Sequence, residues 1–145
     1  LMARNKPEDR LQTMVVKLLE HTAKPGLFWF HCPNGGKMSP QRGAYLKAMG
    51  VVAGVPDLVM CWQGRFIGIE LKAGKNKQSP HQLAVDLAIR MAGGMYRVCT
   101  GYEETVEFLT MIGVINVALD KRFKPREKSD ESGNHRAITG GATDI

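Results

Sequence analysis

Nowhere does the sequence hold a run of roughly 20 consecutive apolar residues, the minimum for a membrane-spanning helix, and its first ten residues are charged rather than apolar. A membrane span and an apolar export signal are therefore not expected, and the chain reads as soluble and unsecreted. Cysteine is scarce. Cys32, Cys61 and Cys99 are odd in number, far apart and free of any CxxC or paired-histidine spacing. That excludes a disulfide framework and a structural zinc site, and predicts three reduced core thiols. Internal repeats are absent as well. With 145 residues and 43% hydrophobic content, one core is expected and a second has little room.

Acidic residues are the next scarcity, and their placement is informative. The net charge is +6. Between Gly36 and Lys77 stand seven cations (Lys37, Arg42, Lys47, Arg65, Lys72, Lys75, Lys77) against two acids, Asp57 and Glu70. From Asp120 to Ile145 six cations face five acids, so the C-terminal stretch explains little of the excess. A polyanionic partner is expected around those two carboxylates.

Periodicity supplies the elements. Leu11, Met14, Val15, Leu18 and Leu19 recur at helical spacing from Pro7 to His21. Leu27 to Cys32 is a short aromatic strand, and Ser39-Pro40 opens a helix that stops near Gly50. Asp57 to Trp62 and Arg65 to Leu71 are β-branched, apolar runs joined by Gln63-Gly64, the pattern of an antiparallel hairpin. Ser79-Pro80 opens a helix to about Met91, Met95 to Cys99 is a strand, and Tyr102 to Ile112 a last amphipathic helix carrying Val106, Leu109 and Thr110. The expected order is α-β-α-β-β-α-β-α over residues 1–119. Residues 120–145 form a polar tail, expected to be flexible or docked on a partner. Trp29, Phe30, Trp62 and Phe66 are read as core rather than as platforms for bases.

The chemistry resides in Gly54-Val55-Pro56-Asp57 and, one hairpin later, Ile69-Glu70-Leu71-Lys72. Two residues apart on a strand, Glu70 and Lys72 leave the same face while Leu71 points the other way. Asp57, at the start of the paired strand, can reach that face. An isolated Glu-x-Lys on a strand is usually a surface salt bridge. Two carboxylates and an ammonium in a basic region, however, form a place for a hard divalent cation and a phosphodiester. Lys37, Arg42, Lys75 and Lys77 are candidate phosphate contacts. His31 and His81 have ready structural explanations.

Taken together, Asn34-Gly35-Gly36, Gly54-Val55-Pro56-Asp57, Ile69-Glu70-Leu71-Lys72 and Ser79-Pro80-His81-Gln82 resemble the VRR-NUC family, a branch of the PD-(D/E)XK nuclease superfamily related in fold to archaeal Holliday-junction resolvases. The resemblance spans roughly residues 7–99. It implies an α/β, restriction-endonuclease-like core, a central mixed sheet flanked by helices. By the same resemblance Asp57, Glu70 and the main-chain carbonyl of Leu71 hold Mg2+ or Mn2+, Lys72 is catalytic, and Gln82 belongs to the active site. Glu8 is chosen as a further metal-site carboxylate from the first helix, with Asp9 and Glu20 as competitors. Asn34 joins the four basic residues as an expected nucleic-acid contact. The implied activity is a structure-selective DNA endonuclease on branched DNA such as a Holliday junction, acting as a homodimer in the cytoplasm of a bacterial or phage-infected cell. A nicking or flap nuclease and a DNA-binding module without chemistry are the alternatives.

Overall fold

The computed structural model describes residues 6–33 and 36–119. Asn34 and the stretch 120–145 lie outside the described residues, and with them the expectations placed on that side chain and on the tail.

Helix α1 (Pro7–Thr22) leads to strand β1 (Phe28–His31) and helix α2 (Pro40–Ala48), then to the hairpin β2 (Leu58–Trp62) and β3 (Arg65–Lys72). Helix α3 (Pro80–Met91), strand β4 (Met95–Thr100), helix α4 (Gly101–Met111) and a short 3-10 turn (Val117–Leu119) complete the order. Among the described residues no helix is long and apolar enough to cross a membrane.

The local chemistry explains these boundaries. Ser39 and Ser79 accept hydrogen bonds from the third residue of α2 and α3, and the prolines that follow fit the first turn, where an N–H would go unused. Gln63 (φ 51) and Gly64 (φ 75) are both left-handed, as a two-residue turn matched to strand twist requires.

One mixed sheet results, in the order β1-β2-β3-β4. The first three strands are antiparallel, and β4 lies parallel to β3 after the crossover through α3. Strand alternation divides the sheet into two faces. On one, Leu58, Met60, Ile67, Ile69, Leu71 and Cys99 meet Leu11, Val15, Leu18 and Leu19 of α1 and Val106, Phe108 and Leu109 of α4, all buried. Asn116 N–H donates to the carbonyl of Thr22 and Lys24 N–H to that of Val114, tying the ends of the two helices together.

The other face is less covered, which overturns part of the sequence reading. Phe30 is 43% and Phe66 40% exposed, and neither is core. Both lie on the side that α1 and α4 do not reach. Trp29 and Trp62, one residue out of phase, are half-buried against the core as expected. The cysteines divide likewise. All three are free, but only Cys99 is buried, Cys32 is half-buried and Cys61 is exposed. Met14, grouped with the apolar stripe of α1, is exposed, and Thr110 turns outward to bond the carbonyl of Val106.

Candidate active site

The register sets the first relation in the site. Leu58 pairs with Ile69, so the residue before β2, Asp57, lies beside the C-terminal end of β3. Its Oδ2 accepts the N–H of Leu71 at 2.8 Å, which fixes the carboxylate against the strand that carries Glu70 and Lys72. From the other side His31 Nδ1 lies 2.7 Å from the Asp57 carbonyl oxygen, and Cys32 N–H donates to the same oxygen at 2.9 Å.

Two close approaches explain the Gly-Val-Pro-Asp run. A Cβ on Gly54 (φ +83) would stand 2.5 Å from the main-chain carbon of His81 and 2.7 Å from Gln82 N. The Pro56 ring in turn covers Gly68 so closely that a Cβ there would lie 2.8 Å from its Cγ. Glycine is needed at both positions: at 54 by space and by its left-handed backbone, at 68 by space alone. The turn is thus wedged between the first turn of α3 and the middle of β3, and Asp57 leaves it in a defined direction.

Glu70 and Lys72 share a face, as strand alternation requires, but their ion pair is not a surface one. Lys72 Nζ lies 3.1 Å from Glu70 Oε1, with the side chains 10% and 3% exposed. Gln82 completes the arrangement. Its Nε2 donates to Glu70 Oε1, while its Oε1 accepts from Lys72 Nζ at 3.1 Å and from Ser79 N–H at 2.8 Å. The residue that closes the capping box of α3 therefore also bridges the acid and the amine. Tyr96, buried on β4, points its hydroxyl at Glu70 Oε2 from 3.5 Å.

Burial is the main reason the carboxyl of Glu70 is raised to about 7, and the charge of Asp57 adds to it, while Lys72 and Tyr96 act in the opposite sense. Asp57 is raised too, first by burial and also by Glu8, against the lowering effects of the Leu71 N–H, Lys72 and His31. A buried and a half-buried carboxylate served by one lysine lack positive charge. The available donors are hard oxygens: Asp57, Glu70 and the Leu71 carbonyl. Among the described residues no three His, Cys, Asp or Glu side chains gather into a metal cage. That donor set suits a cation held by one or two carboxylates that draws its other oxygens from water and phosphate, which is the habit of Mg2+.

Glu8 is half-buried on α1, within electrostatic reach of Asp57, and its Oε1 accepts from Asn76 Nδ2 at 2.8 Å. Its competitors are placed otherwise. Asp9 accepts from Lys6 N–H at the start of α1, and Glu20 is exposed near the far end of that helix. Lys75 and Lys77 are exposed in the loop that joins Lys72 to α3, and Lys37 and Arg42 are exposed before and on α2. None of the four is ion-paired to another described residue. His81 is exposed on the first turn of α3.

Sequence reasoning missed Tyr96, Asn76 and the hold of His31 on the Asp57 main chain. A tyrosine in a buried parallel strand carries a hydroxyl that must find a partner, and that was a readable signal for Tyr96. Asn76, in a loop, offered none.

No family model and no curated protein matches the chain. Solved structures do. One, described as a VRR_NUC domain protein, is 22% identical, with a TM-score of 0.57 over 75% of this chain and 89% of its own. Another, described as a VRR_NUC domain, is 23% identical and covers 72% of this chain and 94% of its own at a TM-score of 0.47. The first likeness, at that identity, is one of architecture: this chain has the fold of a VRR_NUC domain protein, a mixed four-stranded sheet flanked by helices.

Proposed function

We propose that this chain is a VRR-NUC nuclease, a metal-dependent, structure-selective endonuclease that hydrolyses phosphodiester bonds in branched DNA, a four-way junction being the favoured substrate. One observation carries the reading: a buried and a half-buried carboxylate, a lysine amine and a bridging glutamine converge where the Gly-Val-Pro-Asp turn meets the end of β3. The nuclease name of the neighbour with the same fold supports it.

Asp57, Glu70 and the Leu71 carbonyl would hold Mg2+ or Mn2+, with Glu8 as a further carboxylate on the approach. When bound, such an ion polarises the phosphodiester and acidifies a water. The chain's own groups do the rest. Lys72, aimed by Glu70 and Gln82, neutralises charge on the phosphoryl oxygens or orients the attacking water. Gln82 keeps the amine and the acid at fixed separation. Lys75, Lys77, Lys37 and Arg42 supply the sequence-independent attraction to phosphate. A homodimer would offer two sites for the two strands cut at a junction. The exposed stripe Leu83, Leu87 and Met91 on α3, at four-residue steps, is an apolar surface suited to that contact.

The test is cleavage of labelled duplex, flap and four-way junction in Mg2+, Mn2+ and EDTA by the wild type, Asp57→Ala and Lys72→Ala. Paired symmetric nicks near the junction centre, lost in EDTA and in both variants, are expected. Cleavage that survives in the variants would dismiss the assigned site. Tight junction binding without cutting in any metal would make the chain a binding module, and a preference for flaps would replace junction resolution.

A further inference from the structure

Phe28 and Phe30 are 65% and 43% exposed, with ring centroids 5.8 Å apart, and Phe66 is 40% exposed. Register puts them on one surface. Phe28 pairs with Cys61 and Phe30 with Val59, while Cys61 pairs with Phe66 and Val59 with Gly68. Residues paired across strands leave the same side of a sheet, and Gly68 lies two positions before Glu70. The three rings, with Val59 and exposed Cys61, therefore form an aromatic field on the sheet face that carries Glu70 and Lys72. The field also runs up to the site. His31, next to Phe30, holds the Asp57 carbonyl, and Val59 is two residues from Asp57.

We infer that this aromatic field is a stacking platform for unpaired bases of the DNA strand whose phosphate enters the site, an inference that rests on the nuclease reading above. Charge selects the occupant. The connection from His31 to Leu58 leaves and rejoins the sheet at the end that carries Asp57, and it holds three cations (Lys37, Arg42, Lys47) and a single acid, Asp57, while the loop after Lys72 at the same end adds Lys75 and Lys77. A second copy brought onto this face would set that basic segment against itself, whereas a polyphosphate strand would neutralise it. Exposed aromatics that lead to a basic end of the sheet are what a single strand requires, because every base has a face to stack and every phosphate a charge to place. Aromatic side chains on four-stranded sheets serve in this way in other nucleic-acid-binding domains. The substrate class narrows accordingly to DNA with unpaired nucleotides beside the scissile phosphate: an opened junction centre, a flap or a gap.

The experiment measures binding in EDTA by fluorescence anisotropy, with the full chain and three labelled probes: a short oligothymidylate, an abasic strand with the same number of phosphates, and a blunt duplex. The wild type should bind the oligothymidylate about tenfold or more tighter than the abasic strand. The Phe28→Ala/Phe30→Ala double variant should lose that preference yet keep its affinity for the abasic strand within about twofold, and Phe30→Trp should retain the preference. Sedimentation and circular dichroism of the double variant should match the wild type. Equal wild-type affinity for base-bearing and abasic strands would overturn the inference. So would a double variant that keeps the preference, or one that merely turns a dimer into monomers and thereby marks the face as a subunit contact. Because no cleavage is measured, a failed nuclease assay and a failed stacking assay are separate results.

Discussion

The two faces of the sheet are written in the same strands and behave oppositely. On β3, Ile67, Ile69 and Leu71 face α1 and α4 and are dry, while Phe66, Gly68, Glu70 and Lys72 face the side that α3 covers only in part. The first face gains its stability from apolar area removed from water. The second gives up some of that. It holds charges at one end, where Gln82 of α3 and Tyr96 meet Glu70 and Pro56 covers the neighbouring Gly68, and bare aromatic rings at the other. The hydrophobic face thus supports an electrostatically strained one, and a substitution on one should damage a different property from a substitution on the other.

The sharpest separation is expected at Lys72. Lys72→Ala should lower the cleavage rate by about a thousandfold or more, since the amine is fixed beside both the acid and the bridging amide. Comparison of single-turnover rates with junction affinity checks this, and a variant that binds weakly but cuts normally would move Lys72 from chemistry to binding. On the opposite face, Ile69→Ala should cost about 2–5 kcal/mol of stability, because the fully buried side chain leaves a cavity between two helices. Urea unfolding measures it, and a loss under about 1 kcal/mol would mean that the helices close in on the gap.

Glu70 links the two faces through pH. Its carboxyl is raised from the ordinary 4.5 to about 7, so the folded chain holds this proton more tightly than the unfolded chain. Stability from this group is therefore present below about pH 4.5 and is lost as pH rises through 7, a change of roughly 3 kcal/mol. In EDTA the wild type should lose stability between pH 5 and pH 8, and Glu70→Gln should flatten that slope. An unchanged slope in the variant would assign it to another group. The smallest effect is expected at Gln82. Gln82→Ala should reduce cleavage about 10–100-fold, as loss of an outer partner does, and should also weaken the start of α3 by about 1 kcal/mol. Wild-type activity in this variant would reduce the residue to a helix cap.

Much of this was legible in the sequence because the signals were local. The Ser-Pro openings, the Gln63-Gly64 turn and strand alternation locate each element to within a residue or two. Spacing alone put Glu70 and Lys72 on one face, and hairpin length brought Asp57 to them. What stayed hidden depends on which helix covers which face. Phe30 and Phe66 have the composition of core residues, and nothing in their neighbourhood says that α1 and α4 will pack on the far side. Cys61 misled for the same reason. The burial of the Glu70–Lys72 pair was equally unreadable, since Gln82 and Tyr96 meet it from distant positions. Gln82 was visible as a helix residue near the site, but not as the group that joins the cap to the charge pair.

That double duty limits which amino acids position 82 can accept. A capping box is served equally by glutamine or glutamate. Here glutamate would satisfy Ser79 and start the helix as well, yet it would remove the N–H given to Glu70 and put a third negative charge against a carboxyl that already resists ionisation. The two side chains differ only by an amide in place of a carboxylate, so the exchange would spare the architecture and fail on charge alone.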